Sequence, residues 1–273
     1  MKIYHYTTIE ALALILESKC IKFSRLDLLD DKTESESFSN FNPLHYIFSS
    51  SYTNDAAENI PLWKMYSNME TGIRLEFDTD TMFSPVKQKV ELPFHKHEQC
   101  ICPPYLYTAI PSQYILNSDY CLLPQDKADS DYIDDCIKIK KITYLDNFQE
   151  FYKSRLESKE EIVSNKTFRT ISYDPIDFGF YKNKYWEFQK EIRLLIYAMP
   201  FVYDKYEISK CALGERLLKT THILVPLSEQ CLQHFKITFA PKISHASRVI
   251  VKALLSQYPN ASCMDSCLYG TIR

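Results

Sequence analysis

Glycine is scarce in this chain, at four residues among 273. The P-loop and the dinucleotide fingerprint both need several glycines in one turn, so that backbone can approach phosphate closely. Neither pattern occurs, and any nucleotide must be held without a Rossmann turn. Long apolar runs are lacking as well: no stretch approaches the roughly 20 residues that cross a bilayer, so no membrane partner is expected. The N-terminus shows no basic segment followed by an apolar run and a small-residue cleavage site, so no export signal is read there. A surplus of positive charge is also missing. Lys and Arg number 32 against 35 Asp and Glu, a net charge of -3, which provides no global basic field for nucleic acid or anionic lipid.

What is present fits an ordinary folded protein, with 45% hydrophobic and 25% charged residues. The length allows one large domain or two small ones, with a real core. Nine cysteines are an odd count scattered along the chain, which is not a disulfide framework. Reduced thiols in the cytoplasm, several of them core residues, are expected instead. Basic residues gather between Lys138 and Arg169, but Glu150, Glu157, Glu160 and Glu161 interrupt them, so a solvated helix face is the reading there.

Along the chain, Lys2 to Tyr6 reads as a strand, and Thr7 or Thr8 then caps a helix whose apolar positions are Ile9, Leu12, Ala13 and Leu16. Cys20 to Ser24 reads as a second strand, and Arg25 to Asn42 as an acidic loop with at most one helical turn. Tyr46 to Ser50 and Ile73 to Phe77 read as strands, with a helix from Pro61 to Asn68 between them. Residues 84–130 are proline-rich and read as irregular or partly helical, residues 131–172 as mostly helical. Glu191 to Ala198 is the clearest strand. The end reads as strands at Thr221–Pro226 and Ile237–Phe239, a helix Ser244–Gln257, and a last strand near Cys263–Leu268. Strands and helices that do not alternate regularly predict an α+β fold.

Several places carry candidate chemistry. His5 ends the first strand just before a helix N-terminus with free N–H groups, a spot suited to hydroxyls or phosphate; a half-buried histidine bonded to local backbone is the alternative. Trp63 and Tyr66 lie three apart on one helix and can stack a planar ring or plug a core. In the strand from Glu191, Glu191 and Arg193 share one face while Ile192 and Leu194 share the other. A carboxylate there can orient a sugar hydroxyl or stabilise a cationic transition state, unless the face is simply exposed. His95, His97, Cys100 and Cys102 lack zinc-finger spacing, so no metal is assigned. A nucleophile elbow is absent, and no cysteine stands out as reactive.

The tracts YHYTTIEALALILES, IKFSRLDLLDD with Glu34, LWKMYSNMETGIRLEFD and KYWEFQKEIRLL resemble, in that order, a bacterial family catalogued only as a domain of unknown function. Its members show Y-H-Y-T, F-S-R-x-D, W-x-x-Y and E-W-R patterns. The opening tract also resembles the DNA-targeting ADP-ribosyltransferase toxins, and His5, Tyr66 (or Trp63) and Glu191 follow the order of the H-Y-E transferases. The resemblance implies a single domain over 1–273 with a split, mixed or antiparallel sheet, flanking helices and a proline-rich, helical insertion at about 84–172, NAD as substrate, and a toxin or antiviral defence effector. His5 would bond the NAD ribose, and Tyr66 or Trp63 would stack the nicotinamide. Thr7, Arg25 and Ser49 would complete the NAD contacts, Arg25 at the pyrophosphate. Glu191 would be catalytic. The acceptor implied is nucleic acid rather than protein, with an antitoxin or regulatory protein as a further partner. An NAD glycohydrolase and a non-catalytic nucleotide- or nucleic-acid-binding module are the alternatives. The chain departs from the family pattern at Gln189 and Ile192, which stand where E-x-E-W-R has glutamate and tryptophan.

Overall fold

The computed structural model describes residues 1–35, 42–90, 105–124, 132–155, 157–163, 166–172, 174–200 and 217–272. Strand β1 (Lys2–Thr8) leads straight into helix α1 (Ile9–Ser18). The cap is Thr8 rather than Thr7: its hydroxyl accepts from the Ala11 N–H at 3.2 Å. Ile9, Leu12 and Leu16 are the buried stripe of α1, and Lys19 ends it in the left-handed conformation at φ 54°. Strand β2 (Cys20–Arg25) follows, then the short helix α2 (Lys32–Ser35), strand β3 (Ile47–Thr53), helix α3 (Ile60–Tyr66) and strand β4 (Gly72–Asp78). Gly72 is required where it stands, because a side chain would collide with the Asn68 carbonyl and Ser67 at the end of α3.

The middle of the chain corrects the expected helices. Strands β5 (Val86–Lys89) and β6 (Tyr105–Thr108) pair with each other. Helix α4 (Ser112–Ile115) and strand β7 (Tyr120–Leu122) come next, then β8 (Lys138–Lys141), β9 (Thr143–Leu145), helix α5 (Phe148–Ser154), β10 (Glu157–Val163) and β11 (Lys166–Ser172). Residues 131–172 are therefore mainly strand. The Lys/Glu composition favours helix locally, but Ile162, Val163, Thr167, Thr170 and Ile171 are β-branched, and β10 and β11 supply each other with an antiparallel partner from Glu157↔Ser172 to Val163↔Lys166. Nor is Lys138 on a solvated helix face. It is buried in a strand that pairs with the late central strand.

That central strand is β13 (Glu191–Pro200), preceded by β12 (Tyr181–Asn183) and followed by β14 (His222–Pro226), helix α6 (Glu229–Gln233), β15 (Lys236–Phe239), helix α7 (His245–Leu254) and β16 (Ser262–Met264). The main sheet runs β14-β2-β3-β1-β4-β15-β16, with β13 pairing β3, β7 and β8. Most pairs are antiparallel, while β15/β16 is parallel, so the fold is α+β around a mixed, open sheet. No helix among the described residues is long and apolar enough to cross a membrane. Cys20, Cys231, Cys263 and Cys267 are free thiols.

One irregularity organises the sheet. β13 occupies one edge of β3 along its whole length, Glu191↔Thr53 to Tyr197↔Ile47. The other edge is shared: β2 pairs only at Ser49 and Phe48, and β1 only at Thr53, through Tyr4. Between these contacts β1 and β2 part company, and Ser50, Ser51 and Tyr52 face a split. β13 divides two apolar clusters. Ile192, Leu194 and Ile196 join Phe23, Phe48 and Leu75 on one face; Leu195 and Tyr197 join Leu26, Phe148, Tyr152 and Phe178 on the other. Burying each such side chain stabilises the fold by about 1.5–3 kcal/mol.

The connection before β8 is pinned by buried Asp134. It accepts from Thr108 Oγ1 at 2.9 Å, Ala109 N at 2.8 Å, Cys136 N at 2.8 Å and Ile137 N at 2.9 Å. Removing the carboxylate orphans three backbone donors. Asp134→Ala should therefore lower unfolding free energy by about 2–4 kcal/mol in urea titrations, a loss that a surface carboxylate such as Asp146 would not reproduce.

Candidate functional site

The split on β3 opens into a cavity of about 290 Å³. Its walls include Tyr4, His5 and Tyr6 from β1, Ser24 from β2, Ser49 to Thr53 from β3, and Leu28 to Asp31 from the segment before α2. Tyr66 at the end of α3, Lys182 on β12, Trp186, Gln189, and Glu191 and Arg193 on β13 close it. Because cross-strand neighbours share a face, the β3/β13 register places Ser49, Ser51 and Thr53 on the side of Glu191 and Arg193.

His5 bridges the split. Its Nδ1 lies 2.9 Å from the Ser51 carbonyl, on a stretch of β3 edge that no strand among the described residues covers. A carbonyl only accepts, so Nδ1 carries the proton, and Nε2 is left with a lone pair. Burial lowers the His5 pKa against the raising effect of that bond, so the ring is neutral near pH 7. Such a group accepts from a hydroxyl and does not attract phosphate. Ser49 is 3% exposed and its hydroxyl has no partner among the described residues. A buried, unsatisfied hydroxyl on a cavity wall is a group waiting for a ligand or water.

Behind the cavity lies a chain of buried charges. Arg193, fully buried, donates from Nε to Glu191 Oε1 at 2.8 Å. Its terminal nitrogens grip Glu34 of α2 at 2.6 and 3.0 Å and the Gly179 carbonyl at 2.8 Å. Gly179 turns at φ +92° to present that oxygen. Lys182 donates to Glu191 Oε2 at 2.8 Å and to Gln189 Oε1 at 3.0 Å, and Gln189 donates to the Tyr66 hydroxyl at 2.7 Å. The Glu191 N–H donates to the Tyr144 hydroxyl at 2.8 Å. Burial alone would push the Glu191 carboxyl up; the charges of Arg193 and Lys182 overcome it and bring its pKa to about 2. Burial raises Glu34, with Arg193 pulling the other way. It also raises Tyr66 to about 12, helped by the Glu191 charge. Glu191 is thus ionised, His5 neutral and Tyr66 protonated across the physiological range.

His5, Ser49, Tyr66 and Glu191 come together on the cavity from four separate segments. Thr7, Arg25 and Trp63 do not line it. Thr7 is buried two residues beyond His5, opposite Ile73. The Arg25 guanidinium is taken by Asp27, at 2.6 and 3.1 Å, and by the Leu218 carbonyl. Trp63 has no exposed surface; it packs edge-on against Tyr6 at 4.9 Å and donates from Nε1 to Glu58 at 2.9 Å. Helical spacing put Trp63 and Tyr66 on neighbouring positions, but only the later residue reaches the cavity. The exposed Glu–Arg face considered for β13 is excluded, since Glu191 is 4% exposed. Lys182 gave no sequence signal: it sits in a three-residue strand too short to show a period. The segment His95–Cys102 lies outside the described residues.

Residues 62–194 match a family described as "Protein of unknown function (DUF2971)". The matched span runs from α3 to β13 and so includes Tyr66, Lys182, Gln189, Glu191 and Arg193, while His5 and Ser49 precede it. No curated protein and no solved structure matches the chain.

Two outcomes follow from the charge chain. Glu34→Ala leaves Arg193 buried with one carboxylate instead of two, and should cost about 3–5 kcal/mol in denaturant unfolding. The Glu191 pKa is depressed on folding, so its ionisation stabilises the protein fully above the ordinary value of 4.5 and progressively less as pH falls toward about 2. The stability gap between wild type and Glu191→Gln should narrow across that window; a gap independent of pH would contradict the assignment.

Proposed function

We propose that this protein is an NAD-dependent mono-ADP-ribosyltransferase, with the cavity at the β1/β2 split as its NAD site. The observation that carries the reading is the convergence of His5, Ser49, Tyr66 and Glu191 on one cavity, since three of them are the H-Y-E positions of the resemblance. A sheet that parts along β3 suits the split sheet of those transferases, and it supplies a nucleotide cleft without a glycine-rich turn. Neutral His5 Nε2 and the free Ser49 hydroxyl suit ribose hydroxyls, and half-buried Tyr66 suits a planar nicotinamide. The cavity is near the small end of ligand pockets, which run from about 300 Å³. It takes the nicotinamide–ribose end, with the remainder of NAD toward the mouth.

In this reading the C1′–N bond to nicotinamide breaks, nicotinamide leaves with the electron pair, and C1′ bonds to an acceptor nucleophile that gives up its proton to solvent. Cationic character on the sugar is offset by Glu191. A carboxyl held near 2 is a weak base, so Glu191 orients the 2′-hydroxyl and stabilises charge rather than carrying the proton. Nucleic acid as acceptor, a toxin or antiviral role in the cytoplasm, and an antitoxin partner rest on the resemblance to the DNA-targeting toxins. With a net charge of -3, a nucleic acid would be held by local contacts.

A second reading is favoured by one feature: each Glu191 oxygen already meets a cation, which weakens its field in the cavity. That suits a nucleotide-binding module without turnover. An NAD glycohydrolase would share the site and pass the ribose to water. Incubation with labelled NAD and, separately, RNA, DNA and lysate protein distinguishes the three. Nicotinamide release with labelled macromolecule, abolished at least about 100-fold in Glu191→Ala, is expected. Free ADP-ribose alone indicates the glycohydrolase, binding without release indicates the module, and no binding overturns the reading.

A further inference from the structure

We infer that Lys182 is the positioning residue of this site: one buried ammonium sets where the Glu191 carboxylate and the Tyr66 ring stand relative to each other across the cavity. The inference rests on the NAD reading for its catalytic consequence, but its geometry is independent of it.

Lys182 is 5% exposed and lines the cavity. Its Nζ lies 2.8 Å from Glu191 Oε2 and 3.0 Å from Gln189 Oε1, and 5.2 Å from the Trp186 ring centre. Gln189 uses its amide nitrogen on the Tyr66 hydroxyl at 2.7 Å. The ammonium therefore fixes Glu191 directly and Tyr66 through one amide. Arg193 holds only the other oxygen of Glu191, at 2.8 Å, so a carboxylate without Lys182 is tethered at one point and free to turn about its Cγ–Cδ bond. Each carboxylate oxygen has two lone pairs. Pairing one on each oxygen with a cation behind the site leaves the others for ligand hydroxyls. Lys182 reaches this place from β12, which among the described residues pairs with β9; these side-chain bonds tie it to β13.

The charged and titratable groups around Glu191 are Arg193 from β13, Glu34 from α2, Lys182 from β12, Tyr144 from β9, Tyr66 from α3, Glu187 from the turn before β13, and Asp30 and Asp31 at the rim. Of these, Lys182 and Arg193 are the cations in contact with the carboxylate. Removing Lys182 raises the proton affinity of Glu191, whereas a residue that only fills space would leave it unchanged.

The test uses the whole protein labelled with ¹³C at the glutamate side chains, as wild type, Lys182→Met and Lys182→Gln, with thermal melts confirming that each is folded. Carboxyl shifts followed against pH, assigned through Glu191→Gln, should show the Glu191 midpoint moving up in Lys182→Met. An unmoved midpoint overturns the inference. With NAD, nicotinamide release should fall about 10- to 100-fold in kcat, with KM little changed, as expected for lost orientation; its acid limb should move up with the carboxyl. Lys182→Gln, which keeps a donor without the charge, should recover part of kcat and none of the pH shift. It also replaces Lys182→Met should that variant not fold. A moved midpoint in a protein that releases no nicotinamide retains the positioning role and removes the transferase reading. Wild-type kcat in both variants overturns the positioning role and leaves the transferase standing.

Discussion

Arg193 is a guanidinium with no contact to water, placed in the middle strand of the fold. An isolated charge there would destabilise the protein by several kcal/mol, so its position obliges the chain to bring carboxylates to it. Glu34 arrives from the segment after β2, Glu191 from two residues upstream on the same strand, and the Gly179 carbonyl from the turn before β12. Lys182 then balances Glu191. Two cations and two anions alternate in one buried row. Helix α2, the strand β12 and the mouth of β13 are tied together by bonds in this row. The cavity is shaped by the need to satisfy a buried charge.

The split along β3 is the second constraint. A sheet whose strands stay paired buries its backbone groups in ladder bonds, and a gap in the middle leaves carbonyls to be met by something else. At Ser51 the substitute is the His5 ring. That contact fixes the tautomer, burial keeps the ring neutral, and Nε2 is left as an acceptor. The unpartnered Ser49 hydroxyl lies beside this gap, on a residue whose backbone pairs with both β2 and β13. The gap thus does two things: it gives His5 a backbone carbonyl to bond and opens the space that Ser49, Tyr66 and Glu191 line.

Much of the framework was legible in the residues. The Thr-capped helix with Ile9, Leu12 and Leu16 as its stripe, the strand at Glu191 with Ile192 and Leu194 facing away from Arg193, and the helix around Trp63 rest on local periodicity and capping, and local rules act within one element. The middle of the chain was not legible. Glu157 to Ser172 reads as helix because Lys and Glu favour it, and it became a hairpin because each strand had the other to pair with. Trp63 and Tyr66 show the same limit on a smaller scale. Both share a helix, but which one is core and which is rim depends on Tyr6 and Glu58, residues of other segments. The resemblance puts Arg25 at the pyrophosphate, and Asp27, two residues away, takes its guanidinium.

By itself, the sequence determined the class of fold, the strand that carries Glu191 and the lack of a glycine-rich phosphate turn, because these depend on composition and on spacing within one element. Tertiary structure alone decided that His5, Ser49, Tyr66 and Glu191 meet. It also decided that Arg25 is spent in an ion pair and that Lys182 reaches the carboxylate. Each of these is a contact between segments far apart in the chain, set by strand register and by the need to neutralise charge in a medium of low dielectric. No spacing rule along the chain encodes that.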